Sequence, residues 1–346
     1  MRNWLWIAAA VGATAPALFL RLGEVALPAS LETILFGVAI IASAFLLTWA
    51  AEAAETEIAQ ALALAFIAII AVLPEYAVDM YFAWTAATDP AFASYAAANM
   101  TGANRLMVGI GWPLVVLLAW FKGRKSSTRH VELGRGETSE VVFLALATIY
   151  AFTIPLKYAI FDGAGLSLWD TLVFIGLFAL YMRSCSKCTR TEPELGGPAA
   201  TITALPRKIS WATIGSLFLF PAAVILASAQ PFADGLLVAG REAGIDEFIM
   251  VQWVAPLASE SPELLVAAIF VLKANSSAAL RMLMSSKVNQ WTLLVGMLPL
   301  VYSISLGSSG TLPLDGRQME EILLTAAQSA LALAFVIRLR LSAGSV

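Results

Sequence analysis

Residues 244–263 read Gly244-Ile-Asp-Glu-Phe-Ile-Met-Val-Gln-Trp-Val-Ala-Pro-Leu-Ala-Ser259-Glu260-Ser261-Pro262-Glu263. A run apolar enough to enter a bilayer thus carries two hydroxyls, two carboxylates and a proline in five consecutive positions. Proline lacks an N–H and clashes with the carbonyl four residues before it, so it frees backbone oxygens. At membrane depth such oxygens are tolerated only where they line a cavity or bind something. A carboxylate in a spanning helix costs about 2.5–3.5 kcal/mol on insertion scales, so it faces partners or water and marks a functional path. A proline break beside a glutamate therefore gathers carbonyl and carboxylate oxygens, the ligands that hard cations such as Ca²⁺ and Na⁺ take; Ca²⁺ takes about 6–8 of them.

Composition agrees with a membrane setting. Of 346 residues, 60% are hydrophobic and 13% charged, against about a quarter charged in soluble domains. This argues against a water-soluble enzyme and against disorder. Lys+Arg 21 against Asp+Glu 24 leaves no basic surplus for nucleic acid. Apolar blocks at 3–20, 31–51, 57–87, 91–121, 140–160, 167–183, 209–229, 246–272, 277–306 and 318–341 predict ten crossings, each near the length that a hydrocarbon core of about 30 Å demands. Blocks rather than strict alternation disfavour a β-barrel. The first block has no clear small-residue cleavage site and is read as a helix, not a signal peptide. Basic residues collect after Phe121 (Lys122, Arg124, Lys125, Arg129, Arg135), after Tyr181 (Arg183, Lys187, Arg190, Arg207, Lys208) and at Arg338 and Arg340. With ten crossings these regions share one side with the N-terminus, so both termini are expected to be cytoplasmic. Cys185-Ser-Lys-Cys188 in the second basic loop is half a zinc site or a redox pair in principle. With no second CxxC, and the only histidine, His130, in another loop, it is read as two reduced thiols.

The proline–glutamate pair occurs twice. Leu73-Pro74-Glu75 matches Ser261-Pro262-Glu263, the glutamates standing 188 positions apart. Acids precede both (Glu57; Asp246 and Glu247), Val108-Gly109 and Val295-Gly296 follow, each before a Pro-Leu-Val (Pro113, Pro299), and Glu140-Val-Val-Phe-Leu-Ala resembles Glu321-Ile-Leu-Leu-Thr-Ala. Several matches in one order at a nearly constant offset mean a duplicated half. The Glu75 segment is the third crossing and the Glu263 segment the eighth, so they run in opposite directions. This predicts an all-α polytopic fold of about ten transmembrane helices in an inverted-topology repeat, with proline-broken helices at the centre and a midplane site. The expected organisation is an extra N-terminal helix at 1–22, a first half at 31–183, a cytoplasmic loop at 184–208 and a second half at 209–341.

Further oxygens lie within a helical turn of the two glutamates. Asp79 is at i+4 from Glu75, Glu260 at i−3 and Ser259 at i−4 from Glu263. Arg105 stands in the next helix; Ser285, Ser286, Asn289 and Gln290 occupy the equivalent stretch of the second half. A structural pair, for instance Glu75 with Arg105, is the bland alternative for either glutamate. Glu52, Glu55 and Glu57 are read as solvated helix-end residues, and Lys273, Arg281 and Lys287 as residues at or near a helix boundary.

These residues resemble the sodium/calcium exchanger superfamily, the cation/Ca²⁺ antiporters. Residues 244–263 are similar to its repeat stretch, which ends Gly-Thr-Ser-Leu-Pro-Glu; Leu73-Pro74-Glu75 keeps the Pro-Glu, and Gly102-Ala103-Asn104 is similar to its Gly-Ser-Asn. The resemblance spans about 31–341 and implies a divergent prokaryote-type member that exchanges Ca²⁺ for Na⁺, H⁺ or K⁺. It implies Glu75 and Glu263 as central ligands, Ser259 in place of a Thr ligand, and Glu260, Asp79, Asn104, Ser286 and Gln290 around them. The chain departs from the pattern at Ala71-Val72 (Thr-Ser in the family), Glu260 (Ser), Ala103 (Ser), Met107 (Asn), Lys287 (Asn) and Gln290 (an acid). Lost sodium ligands, with Arg105 as a built-in cation, suit proton coupling: burial raises a carboxyl's pKa and a bound cation lowers it, so cation binding expels protons. The expectation is a secondary antiporter working by alternating access, its ion held between the two repeat glutamates. The alternatives are a monovalent cation/proton exchanger and a membrane protein that has lost ion binding. No HExxH, phosphate loop or nucleophile–base pair suggests an enzyme. No cofactor is expected beyond the transported cation, and no nucleic acid; the partners are the lipid bilayer and inorganic cations. The expected location is the plasma membrane of a prokaryote.

Overall fold

The computed structural model describes residues 2–23, 27–56, 72–123, 130–132, 138–161, 165–186, 197–336 and 340–342. In chain order they form α1 (Arg2–Gly23), α2 (Ala29–Glu55), α3 (Leu73–Thr85), α4 (Ala91–Leu106), a π-helical turn π1 (Met107–Gly111), α5 (Trp112–Gly123), β1 (His130–Glu132), α6 (Thr138–Ile160) and α7 (Leu168–Cys185). There follow α8 (Gly197–Thr203), α9 (Arg207–Ala243), α10 (Glu247–Leu272), α11 (Ser276–Asn289), π2 (Gln290–Leu294), α12 (Val295–Leu306), α13 (Gly316–Val336) and β2 (Arg340–Ser342). The two short strands pair antiparallel with His130 opposite Ser342.

Eight of the described helical runs are long and apolar enough to cross a membrane. The run Ser276–Leu306 is as long but carries Arg281, Lys287, Asn289 and Gln290. The front of the crossing expected at 57–87, with Glu57 and Ala71, lies outside the described residues, as do Cys188 and most of the basic loop positions. Two expectations are corrected. The crossing placed at 209–229 continues as one 37-residue helix, α9, through Pro221 and Pro231; the polar Gln230 and Asp234 had ended the apolar run, not the helix. The loop at 184–208 contains a helix, α8, whose Gly197 carbonyl and Thr201 hydroxyl accept hydrogen bonds from Asn3 Nδ2 at 2.9 and 2.8 Å.

The chain divides into two compact units that interleave along the sequence: Met1–Tyr81 with Cys185–Met250, and Phe82–Ser184 with Val251–Val346. In the first unit α9 packs along α2, and small residues set the approach. A Cβ on Gly235 would sit 2.2 Å from Thr33 Oγ1, and one on Gly37 3.0 Å from the Phe232 ring. Close backbone approach through small residues is how helices associate where no hydrophobic force acts between them. Gly244 closes α9 with φ +68°, the left-handed cap that glycine adopts without a Cβ clash. Asp246 Oδ1 then caps the start of α10, accepting from Phe248 N at 2.9 Å.

In the second unit α13 lies along α6 and α4, and α11 packs on α6 and α5. Buried Asp170 fixes the start of α7. Its carboxylate accepts from Lys157 Nζ at 2.6 Å, Tyr150 OH at 2.8 Å, and the Ser167 N–H and hydroxyl at 2.8 and 2.7 Å. A buried charge so fully bonded is tolerated where a lone one would not be.

Candidate ion-binding site

The two proline–glutamate segments fold differently. Pro74 stands in the first turn of α3, where a missing N–H costs nothing. Glu75 is therefore at a helix N-terminus, which favours a negative charge. Glu75 and Asp79, one turn apart in the first unit, are 2% and 0% exposed. Farther along α3, Tyr81 OH donates to Asp234 Oδ1 of α9 at 2.6 Å.

Pro256 and Pro262 lie inside α10. Pro256 cannot donate to the carbonyl of Gln252, and Gly102 of α4 closes on that oxygen: a Cβ there would lie 1.8 Å from it. The freed carbonyl thus brings α4 against α10. One turn later come Ser259 and Glu260, both buried, and then Glu263. The Ser259 hydroxyl donates to the carbonyls of Ala255 and Pro256, each at 3.3 Å, which leaves its oxygen as an acceptor for a cation. Glu260 Oε1 accepts from Gln290 Nε2 at 2.7 Å. Glu263 Oε2 is buried and accepts no hydrogen bond among the described residues; the Ser286 hydroxyl lies beside this carboxyl without closing a bond to it.

In the second unit, then, α10 and the α11–π2 run bring together Glu260 with Gln290 and Glu263 with Ser286. Gln290 opens π2, and π-turns inside helices recur at functional sites. A matching turn, π1, follows Asn104. Among the described residues no three Asp, Glu, His or Cys side chains converge, so an ion held in this unit takes amide, hydroxyl and carbonyl oxygens beside its carboxylates.

Arg105 has its ion-pair partner within the second unit. It pairs with Glu321, not Glu75, and its guanidinium lies 5.8 Å from the centre of the Trp253 ring. Gln252 Nε2 donates to the same Glu321 carboxylate at 2.9 Å. Lys287 stands in the last turn of α11, but not at a solvated end. It is fully buried, and its Nζ donates to Asn104 O at 2.9 Å and Asn104 Oδ1 at 2.8 Å, 5.1 Å from the Trp291 ring centre. The sequence sets Lys287 in the stretch equivalent to Gly102-Ala103-Asn104, opposite Asn104, and gives no sign that the two residues touch.

Long apolar helices with buried acids on proline-bearing segments define a polytopic α-helical membrane protein built to handle ions. The chain belongs to the sodium/calcium exchanger protein family, whose sequence profile matches residues 30–185 and 213–345. It is similar to the crystal structure of the H⁺/Ca²⁺ exchanger CAX, with a TM-score of 0.94 and 46% sequence identity over 100% of this chain and 85% of that one. The Ca²⁺/H⁺ antiporter protein YfkE shares the fold, with a TM-score of 0.68 and 17% identity over 96% of this chain and 90% of that one. So does the sodium-calcium exchanger NCX_Mj, with a TM-score of 0.54 and 17% identity over 91% of this chain and 93% of that one. A direct comparison with curated protein sequences finds no match.

Proposed function

We propose that the protein is a secondary active antiporter that exchanges Ca²⁺, or a related cation, for H⁺ by alternating access, with Glu75 and Glu263 as its principal ion-binding carboxylates. The observation that carries this reading is Glu263, a carboxylate within a spanning helix with a buried oxygen that no described residue bonds, beside the Ser286 hydroxyl. The likeness over the whole chain to a protein described as an H⁺/Ca²⁺ exchanger supports it. Ser259, Glu260, Asp79 and Gln290 supply further oxygens. H⁺ is preferred to Na⁺ as counter-ion because Ala103 and Met107, both fully buried, stand where the resemblance expects oxygen and amide ligands. Cation and protons then compete for the same carboxylates, so loading one releases the other. The chain acts as a transporter and not an enzyme, with the cation as cargo; both termini lie in the cytoplasm of a prokaryote, and the repeat halves are 31–183 and 209–341.

The test is Ca²⁺ flux in proteoliposomes with Ca²⁺, Na⁺ and pH gradients varied independently. A pH gradient drives Ca²⁺ uptake in the wild type, and Glu75→Gln and Glu263→Gln each lower the rate at least tenfold. Flux that follows the Na⁺ gradient and ignores pH overturns the choice of H⁺; unchanged flux in both glutamine variants overturns the site.

A further inference from the structure

Lys287 and Asn104 hold equivalent places in the fold. Each stands three residues before its π-turn, since 107 − 104 and 290 − 287 are both 3. They also touch: the Lys287 ammonium donates to both oxygens that Asn104 offers, the side-chain Oδ1 and the backbone carbonyl. A carbonyl and an amide oxygen converging at membrane depth are ligands for a small hard cation, and an ammonium is a compact point charge that fills the same role. The Trp291 ring face adds a favourable surface for a desolvated cation. Lys287 also shares its helical run with Ser286 and Gln290, which reach Glu263 and Glu260 of α10.

We propose that Lys287 is a tethered cation: its ammonium permanently takes the Asn104 oxygens and thereby excludes a free monovalent cation, Na⁺ above all, from this position. Resting on the antiporter reading, the inference assigns to Lys287 the exclusion of Na⁺ that the missing ligands at Ala103 and Met107 only favour. Arg105, engaged with Glu321, does not have this role. A lysine at this depth costs several kcal/mol on insertion scales unless paired, and a purely structural contact between the two helices needs only an uncharged partner for Asn104.

The test compares wild type with Lys287→Asn and Lys287→Gln, which keep a polar partner for Asn104 but remove the charge. Melting temperature is followed in detergent as NaCl replaces N-methylglucamine chloride at constant ionic strength. Wild type shows no Na⁺-specific rise. The two neutral variants show a saturable rise of a few degrees with Na⁺, and in proteoliposomes they gain Ca²⁺ flux driven by a Na⁺ gradient. A saturable Na⁺-specific rise in wild type overturns the proposal, and this measurement stands even where a variant does not fold. So does a folded Lys287→Asn or Lys287→Gln that stays indifferent to Na⁺, for Lys287 is then a structural ammonium only. The melting series needs no transport, so absence of Ca²⁺ flux in the wild type sinks the antiporter reading separately.

Discussion

Among the described residues, Ala274 is the one non-glycine that holds a positive φ, 69°. It ends α10, where Ala274 N donates to Val271 O and Asn275 N to Phe270 O, each at 2.9 Å. The left-handed conformation brings the Cβ of an L-residue against its own carbonyl and costs about 1–2 kcal/mol. Glycine is free of that clash but has more backbone freedom to lose on folding. Ala274→Gly is therefore expected to stabilise the protein by about 0.5–1 kcal/mol, read as a higher melting temperature in detergent with unchanged transport. The same scale governs the charges inside the fold. Asp170 is held by four donors, Arg105 by Glu321 and Lys287 by Asn104; each charge persists in an apolar chain because another residue answers it.

At the scale of elements, prolines and glycines work as pairs on neighbouring helices. Pro256 frees the Gln252 carbonyl and Gly102 occupies the space in front of it, so the backbones of α4 and α10 meet without a side chain between them. Any Cβ at Gly102 must push one helix away, because the atom it meets is backbone and cannot rotate aside. Gly102→Ala is expected to destabilise by about 3 kcal/mol or more, at the severe end for single substitutions. Its transport falls further than its folded fraction does, because α10 carries Glu260 and Glu263. Folded yield by size-exclusion chromatography, set against flux per folded molecule, separates the two effects. The contact between α2 and α9 at Gly235 and Thr33 follows the same logic away from the candidate ligands.

At the scale of the whole molecule, the compact units do not coincide with the expected halves: each takes a piece of both. Glu75 and Asp79 lie in one unit; Ser259, Glu260, Glu263, Ser286 and Gln290 lie in the other. A cation that binds the folded protein and not the unfolded chain raises stability by mass action, about 2.7 kcal/mol at a hundredfold excess over Kd. Ca²⁺ is accordingly expected to raise the melting temperature of the wild type. The rise is lost in Glu263→Gln, and Mg²⁺ at equal concentration gives little, because it demands a tighter octahedral set of ligands.

The sequence by itself determined the membrane class and the position of most helices, and it singled out the acids proposed as ligands. These signals are local: about 20 apolar residues in a row suffice to mark a crossing, and a carboxylate inside such a run is costly wherever the helix packs. It did not determine where α9 ends, because a helix continues past the last apolar residue wherever packing supports it, as α2 supports α9. Nor did it determine the partners of Arg105 and Lys287. Arg105 meets Glu321 across 216 residues, and Lys287 meets Asn104 across 183. Whether such a charge sits at a boundary or in the interior depends on which helix faces it, and only the tertiary structure decided that, because helix–helix packing joins residues that no local pattern relates.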